Sequence, residues 1–419
     1  MAIKNIRLLF VHQNYPGQFR HLAPALAQNG FEVFALRQGQ GENQPPLPQF
    51  IQGVKLVGWQ PHRGTTLSAH PWVHDTETKL IRAEAAARAC EQLQSSGWNP
   101  DLIVGHPGWG ELLFLRHLWP KVPQLHFLEF HYAAQGLDVG FDPEFPANGW
   151  QEAARVTAKA GPSLLNLETM DWGLSPTQFQ ASTYPIWVQD RIKVIHDGIS
   201  TKTVAPAPGA RLQLGNTGRE LKPGDPVITF VNRNLEPYRG YHRFMRALPA
   251  IQKACPEAIT LIVGGDGVSY GAAAPVDNSW KQIFLGEVAS ELDLNRVVFT
   301  GNLAYSDYLK VLQVSACHVY FSYPFVLGWS CLEAMSTRAL VVGSATAPVQ
   351  EVIKHGENGL LVDFFDQDAL VDAVVDVLKQ QDRYQTLRTA ARCTVQENYD
   401  LEGVCLPAQI ELVKRLLKD

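Results

Sequence analysis

The chain has 419 residues, 46% of them hydrophobic and 18% charged, with a formal net charge of −5 and a pI near 6.2. That length exceeds one ordinary core and implies two domains of about 200 residues each. The acidic balance argues against a nucleic-acid binder, which carries a basic excess, and no run approaches the roughly 20 apolar residues of a membrane span.

The opening run, residues 1–11, is interrupted by Lys4 and Arg7 and does not read as a secretory signal. Residues 6–11 read as a buried strand and 12–18 as a loop. A helix with Leu22 and Leu26 on one face follows, stopped by Asn29-Gly30, and then a strand at 31–35. An alanine-rich helix is predicted at 76–93, a strand at 102–105, a helix at 111–118, a strand at 125–130 and a last strand near 194–195. Strands alternating with helices imply parallel βαβ units with both sheet faces covered.

Between residues 203 and 226 the texture turns rich in Pro and Gly, which suits an interdomain connection. The alternation then restarts. Strands are predicted at 227–231, 260–263, 297–300, 318–321 and 340–342. Helices are predicted at 242–254, 280–292 and 306–314, one near Glu333, and one carrying Leu370, Val374 and Val377. The six cysteines (Cys90, Cys255, Cys317, Cys331, Cys393, Cys405) are scattered without a CxxC pair and read as reduced, in a soluble cytoplasmic protein.

Four loops in the second half follow strand ends, where ligands bind in an open parallel sheet. In RNLEPYRG, Arg233 and Arg239 flank a Pro-containing turn, and two guanidinium groups can grip one diphosphate. Gly264-Gly265-Asp266-Gly267 allows close backbone approach, though a plain turn explains it equally well. Asn302 and Leu303 follow Gly301 and can offer groups to a flat base. The fourth segment, YPFVLGWSCLEAM, leads through Leu327, Gly328 and Trp329 into a helix whose first turn is expected to carry Glu333. A helix start attracts phosphate, and a carboxylate accepts hydrogen bonds from a sugar diol.

In the first half, Gly17 lies in the loop His12–Gln18, and His106 and His131 stand at strand ends. His70 and His74 are four apart, but Pro71 between them works against a shared helical face and hence against a metal site. Arg116, His117, Trp119 and Lys121 form a small basic and aromatic cluster, readable either as a peripheral membrane contact or as a solvated helix end with a core Trp.

The order of FVNRNLEPYRG, IVGGDG, VVFTGNL, SCLEAM and ENGLLVDF, with PGQFRHLAPALAQNGFEV upstream, resembles the GT-B glycosyltransferases, and among them the retaining family 4 enzymes (glycosyl transferases group 1). The resemblance implies an α/β fold of two doubly wound Rossmann-like domains facing across a cleft. It divides the chain into an acceptor domain at 1–203, a donor domain at 204–395 and a helical segment at 396–419 crossing back to the first. It implies transfer of a sugar from a nucleoside-diphosphate sugar to an unknown acceptor hydroxyl, without cofactor or metal. Arg233 and Arg239 would hold the diphosphate, Glu333 the ribose, and His131 would lie near the reacting sugar. Gly17, Gly265, Asn302, Leu303, Leu327, Gly328 and Trp329 would line the donor. The family's Glu-x7-Glu motif has Phe325 in place of its first Glu. A sugar-nucleotide epimerase, a sugar phosphorylase and a non-catalytic sugar-nucleotide binder remain alternatives.

Overall fold

A computed structural model describes residues 6–39, 48–147, 149–215 and 219–418. Residues 1–5 of the opening run and 216–218 of the Pro/Gly-rich stretch lie outside them. The chain forms two compact units, Met1–Asp197 together with Cys405–Asp419, and Gly198–Val404.

The first unit is built on eight strands: β1 (Arg7–Val11), β2 (Glu32–Gln38), β3 (Phe50–Ile51), β4 (Val54–Trp59), β5 (Leu102–Gly105), β6 (Gln124–Phe127), β7 (Trp172–Ser175) and β8 (Ile192–Val194). Their spatial order is β3-β4-β2-β1-β5-β6-β7-β8, all parallel except the β3–β4 pair. Side chains alternate across a strand, so β1 feeds two cores. Leu8 and Phe10 pack with Phe19, Leu22 and Leu26 on one face, and Leu9 and Val11 pack with Ala86, Cys90 and Trp98 on the other. The final helix, Leu406–Leu416, inserts Leu412, Val413 and Leu416 into the first of these cores. That packing groups the chain's last residues with its first.

A two-stranded ribbon, β9 (Leu212–Gln213) with β10 (Glu220–Leu221), precedes the sheet of the second unit. That sheet comprises β11 (Val227–Asn234), β12 (Ile259–Gly265), β13 (Val297–Gly301), β14 (Cys317–Tyr320), β15 (Leu340–Ser344) and β16 (Leu360–Val362), all parallel in the order β13-β12-β11-β14-β15-β16. The helix Tyr241–Ala254 lays Tyr241, Phe244, Met245, Leu248 and Ile251 against it, all fully buried. Each such side chain contributes about 1.5–3 kcal/mol of hydrophobic stabilisation. Val204, Ala210, Leu214 and Leu221 belong to this unit's core. The stretch 203–226 is therefore part of the second unit and not a bare connection, because its scattered apolar residues find a common surface.

Other elements differ from the sequence reading. Strands β3, β4 and β7 and the helix Gly149–Thr169, which carries Pro162 in its interior, add to the elements expected from the sequence. The predicted helix at 111–118 shrinks to Leu115–Leu118, residues 111–114 forming turns after the left-handed Gly110 (φ +105°). Strands β11 and β12 run further than expected, so Arg233 and Gly265 sit within strand ends and not after them.

One buried group makes stability depend on pH. Glu111 is fully buried, neither carboxylate oxygen has a hydrogen-bond partner among the described residues, and burial pushes its pKa up to about 7. The native state therefore holds a proton that the unfolded chain gives up near pH 4.5. The contribution of Glu111 to stability is fully present below that value and is lost as pH rises through about 7. Over that interval the loss is on the order of 3 kcal/mol. Glu111→Gln, which cannot ionise, is expected to flatten this slope in denaturant titrations at pH 5 and pH 8. An unchanged slope would count against this assignment.

Candidate active site

In an open parallel sheet the ligand crevice opens where successive connections leave in opposite directions. In the second unit that point lies between β11 and β14. Arg233 stands at the end of β11, is exposed, and has no hydrogen-bond or ion-pair partner among the described residues. A permanently charged, unengaged guanidinium at this position is suited to an anionic ligand.

Arg239 behaves differently. It is 5% exposed, and its Nη1 donates to the Ser322 hydroxyl at 2.9 Å, the Val326 carbonyl at 2.8 Å and the Tyr320 hydroxyl at 3.5 Å. Burial works against its charge, but Tyr320, Tyr270 and Glu236 hold its pKa above the ordinary arginine value. The expected paired grip is thus divided: Arg233 is available to a ligand, and Arg239 orders the loop 322–328 from below. Gly240 makes this possible. Its φ of +68° is left-handed, and a Cβ there would stand 2.3 Å from Phe321 Cβ.

The β11 end also fastens the loop after β12. Glu236 is fully buried, and its carboxylate accepts hydrogen bonds from the backbone N–H groups of Ser269 (3.1 Å), Tyr270 (3.2 Å) and Gly271 (3.0 Å). Asn234 adds two bonds, accepting from Gly267 N–H at 3.2 Å and donating to Ser269 Oγ at 2.7 Å. Gly265 lies against both Asn234 and the Asn302 amide, the space its missing Cβ would fill, so the ends of β11, β12 and β13 meet here. Leu303, half-buried, packs against the core beneath.

Phe325 is 2% exposed. Its ring lies 5.6 Å from Tyr238, 5.0 Å from Tyr270 and 5.6 Å from the Arg239 guanidinium. It serves as an aromatic plug, and the half-buried Tyr270 lies over the same arginine at 5.0 Å. Further along, Leu327 is buried, and the Gly328 N–H donates to Tyr320 hydroxyl at 2.6 Å. The Gly328 N–H expected to meet a sugar is therefore engaged inside the protein. Trp329 begins the helix Trp329–Ser336, which places Glu333 in its second turn and not its first.

Glu333 is 5% exposed and accepts from two phenols, Tyr305 hydroxyl to Oε1 at 2.7 Å and Tyr308 hydroxyl to Oε2 at 2.5 Å. Burial and then the Glu333 charge raise the Tyr308 pKa well above its ordinary value, so that phenol remains a donor. Each carboxylate oxygen keeps a further acceptor position for a hydroxyl. Both tyrosines come from the helix Tyr305–Val314, three residues apart and hence on one face. That three-residue spacing is the signal in the sequence that marks the pair.

In the first unit Gly17 has φ +46°, and a Cβ there would lie 2.5 Å from the His12 imidazole. His131 is half-buried. Its backbone N–H donates to Thr183 Oγ1, its ring packs 5.6 Å from Tyr184, and burial lowers its pKa, leaving it neutral at pH 7. The basic and aromatic cluster near Trp119 is a helix end with a core Trp, His117 and Lys121 being exposed. Trp119 is buried with Nε1 donating to Asn99, while Arg116 pairs with Asp171 and donates to main-chain carbonyls. His70 accepts from the Trp72 N–H, and His74 bonds the Ala69 carbonyl, so neither imidazole is set up as part of a metal pair.

Two family models match this chain in succession, glycosyl transferase family 4 group over residues 29–204 and glycosyl transferases group 1 over residues 217–394. The chain belongs to the family 4, group 1 glycosyltransferases. Among solved structures, sucrose-phosphate synthase from Thermosynechococcus elongatus superposes with a TM-score of 0.74 at 20% identity, covering 99% of each chain. The Anabaena protein HepE in complex with UDP-glucose superposes with a TM-score of 0.65 at 17% identity, covering 98% of this chain and 100% of that one. At these identities the likeness shows the fold, GT-B, with its two Rossmann-like units.

Among curated relatives, a GDP-mannose-dependent phosphatidylinositol monomannoside mannosyltransferase of Mycobacterium tuberculosis is 26% identical over 204 residues, 48% of this chain. An N-acetyl-alpha-D-glucosaminyl L-malate synthase of Bacillus anthracis is 26% identical over 110 residues, 26% of this chain. The match spans half the length of the first of these relatives and 28% of the second. Among the described residues no helix is long and apolar enough to cross a membrane.

Proposed function

We propose that the protein transfers a sugar from a nucleoside-diphosphate sugar to an acceptor hydroxyl, with retention at the anomeric carbon, in the cytoplasm. The observation that carries this reading is the pairing at one end of the second sheet of an unengaged Arg233 with a Glu333 whose carboxylate is oriented by two phenols. Arg233 would take charge developing on the departing diphosphate, and electrostatic stabilisation of a leaving group is commonly the largest catalytic contribution. The helix start at Trp329 adds backbone dipole to the same end. Glu333 would accept the ribose hydroxyls, with Gly265, Asn302 and Leu303 beside the base. Retention and the ribose role rest on the family resemblance. The reading requires no metal or cofactor. A sugar-nucleotide binder without turnover is the second reading, favoured by Phe325 where a hydroxyl-accepting carboxylate would stand.

A thermal-shift panel of nucleoside diphosphates and their sugar conjugates tests the donor directly, because a bound ligand raises stability by mass action. At least one nucleoside diphosphate is expected to raise the melting temperature. Glu333→Gln, which retains the shape but loses the charge, is expected to weaken that ligand roughly tenfold. Equal shifts in wild type and variant would remove Glu333 from the donor site. No shift with any nucleotide would remove the donor reading itself.

A further inference from the structure

The first unit has its own reversal point, between β1 and β5, and a second polar cluster is built there. His12 follows β1, His106 follows β5 and Glu129 lies just beyond β6, on three adjacent strand ends. The His12 and His106 rings are 5.7 Å apart, and both are about 95% buried. His106 Nδ1 accepts from the Gly108 N–H at 3.0 Å, which leaves Nε2 to carry the proton and face Glu129 Oε2 at 3.4 Å. Gln18 Nε2 donates to the other carboxylate oxygen at 3.2 Å, and the Gln180 amide holds the Glu129 carbonyl at 2.7 Å.

Glu129 is thus gripped from behind while its side chain stays 36% exposed. Burial opposes its charge, but hydrogen bonds from His106 and Gln18 keep its pKa below the usual carboxylate value. Trp109, itself 36% exposed, packs on the same two imidazoles, its ring 5.8 Å from His106 and 6.4 Å from His12. One histidine, a glutamine and a backbone turn thus orient one partly open carboxylate, and the same histidine carries a partly open indole. A core histidine pair would need neither.

We propose that Glu129 and Trp109 form a saccharide-binding subsite on the first unit, which receives the acceptor as a sugar ring. The carboxylate accepts ring hydroxyls, and the indole packs on the C–H face of the ring. His106 and Gln18 are positioning residues that fix the carboxylate. The inference deepens the proposed transfer reaction and rests on it for the word acceptor, but the subsite itself is testable alone.

The experiment titrates methyl α-D-glucopyranoside, methyl α-D-mannopyranoside and glycerol into the full chain by saturation-transfer NMR. Wild type, Glu129→Gln and Trp109→Ala are compared, with nucleoside-diphosphate thermal shifts recorded alongside. At least one pyranoside is expected to bind wild type while glycerol, which has no ring, does not. Each variant is expected to bind that pyranoside at least tenfold more weakly and to keep the wild-type nucleotide shift. Pyranosides that bind all three proteins equally, or that fail to bind wild type, would overturn the proposal. A lost nucleotide shift in wild type would instead defeat the donor reading and leave the saccharide titration interpretable.

Discussion

Arg233→Ala is expected to reduce sugar transfer by about 10²–10³-fold, equivalent to roughly 3–4 kcal/mol of lost transition-state stabilisation. The fold should be indifferent to the change. Arg233 is exposed at the end of β11 and contributes no hydrogen bond or ion pair to the described structure. Surface substitutions of that kind stay within about 0.5 kcal/mol. Initial-rate assays with the donor named by the thermal-shift panel, beside a denaturant melt, check both halves. Near-normal turnover would sink the assignment. Arg239→Ala offers the contrast, because it would leave the Val326 carbonyl and two hydroxyls without their donor in a buried place. That variant is expected to lose stability together with activity.

Removing Glu236 should produce the largest effect on folding. Its side chain takes three backbone N–H groups, at 3.0–3.2 Å, in a site with no exposure. Glu236→Ala strands those donors, and buried donors left unpaired cost about 1–3 kcal/mol each. A loss of at least about 3 kcal/mol is expected for the second unit, with the segment around Tyr270 losing protection first in hydrogen exchange. Glu236→Gln still offers one acceptor oxygen and should fall between the two. If the alanine variant melts like wild type, Glu236 does not hold this loop.

The contrast between these two positions shows what kind of information a sequence holds. Arg233, Asn234, Glu236 and Arg239 all lie within one motif, and nothing local separates a ligand-facing guanidinium from a buried one. The difference arises because β14 brings Ser322 and Val326 under Arg239, while β12 brings the Ser269–Gly271 backbone onto Glu236. Phe325 is similar. The sequence marks it as a departure from the family pattern, and only the packing of Tyr238 and Tyr270 around it shows that it fills space at that point. His131 is marked in the sequence by its place near a strand end. His106 also stands at a strand end, but only the order of the strands brings it against His12 and Glu129.

By itself the sequence determined the class of fold, the parallel alternation in both halves, and the two strand-end segments that bear Arg233 and Glu333. Those properties are set by residue periodicity and turn chemistry, which act over a few residues and can be read locally. The tertiary structure decided which polar groups remain open to a ligand and which are used to hold loops in place. It also set where the two units divide, at Gly198 and at Cys405. Such outcomes depend on which surfaces meet across the sheets, and a buried donor or acceptor takes whatever partner the fold brings to it.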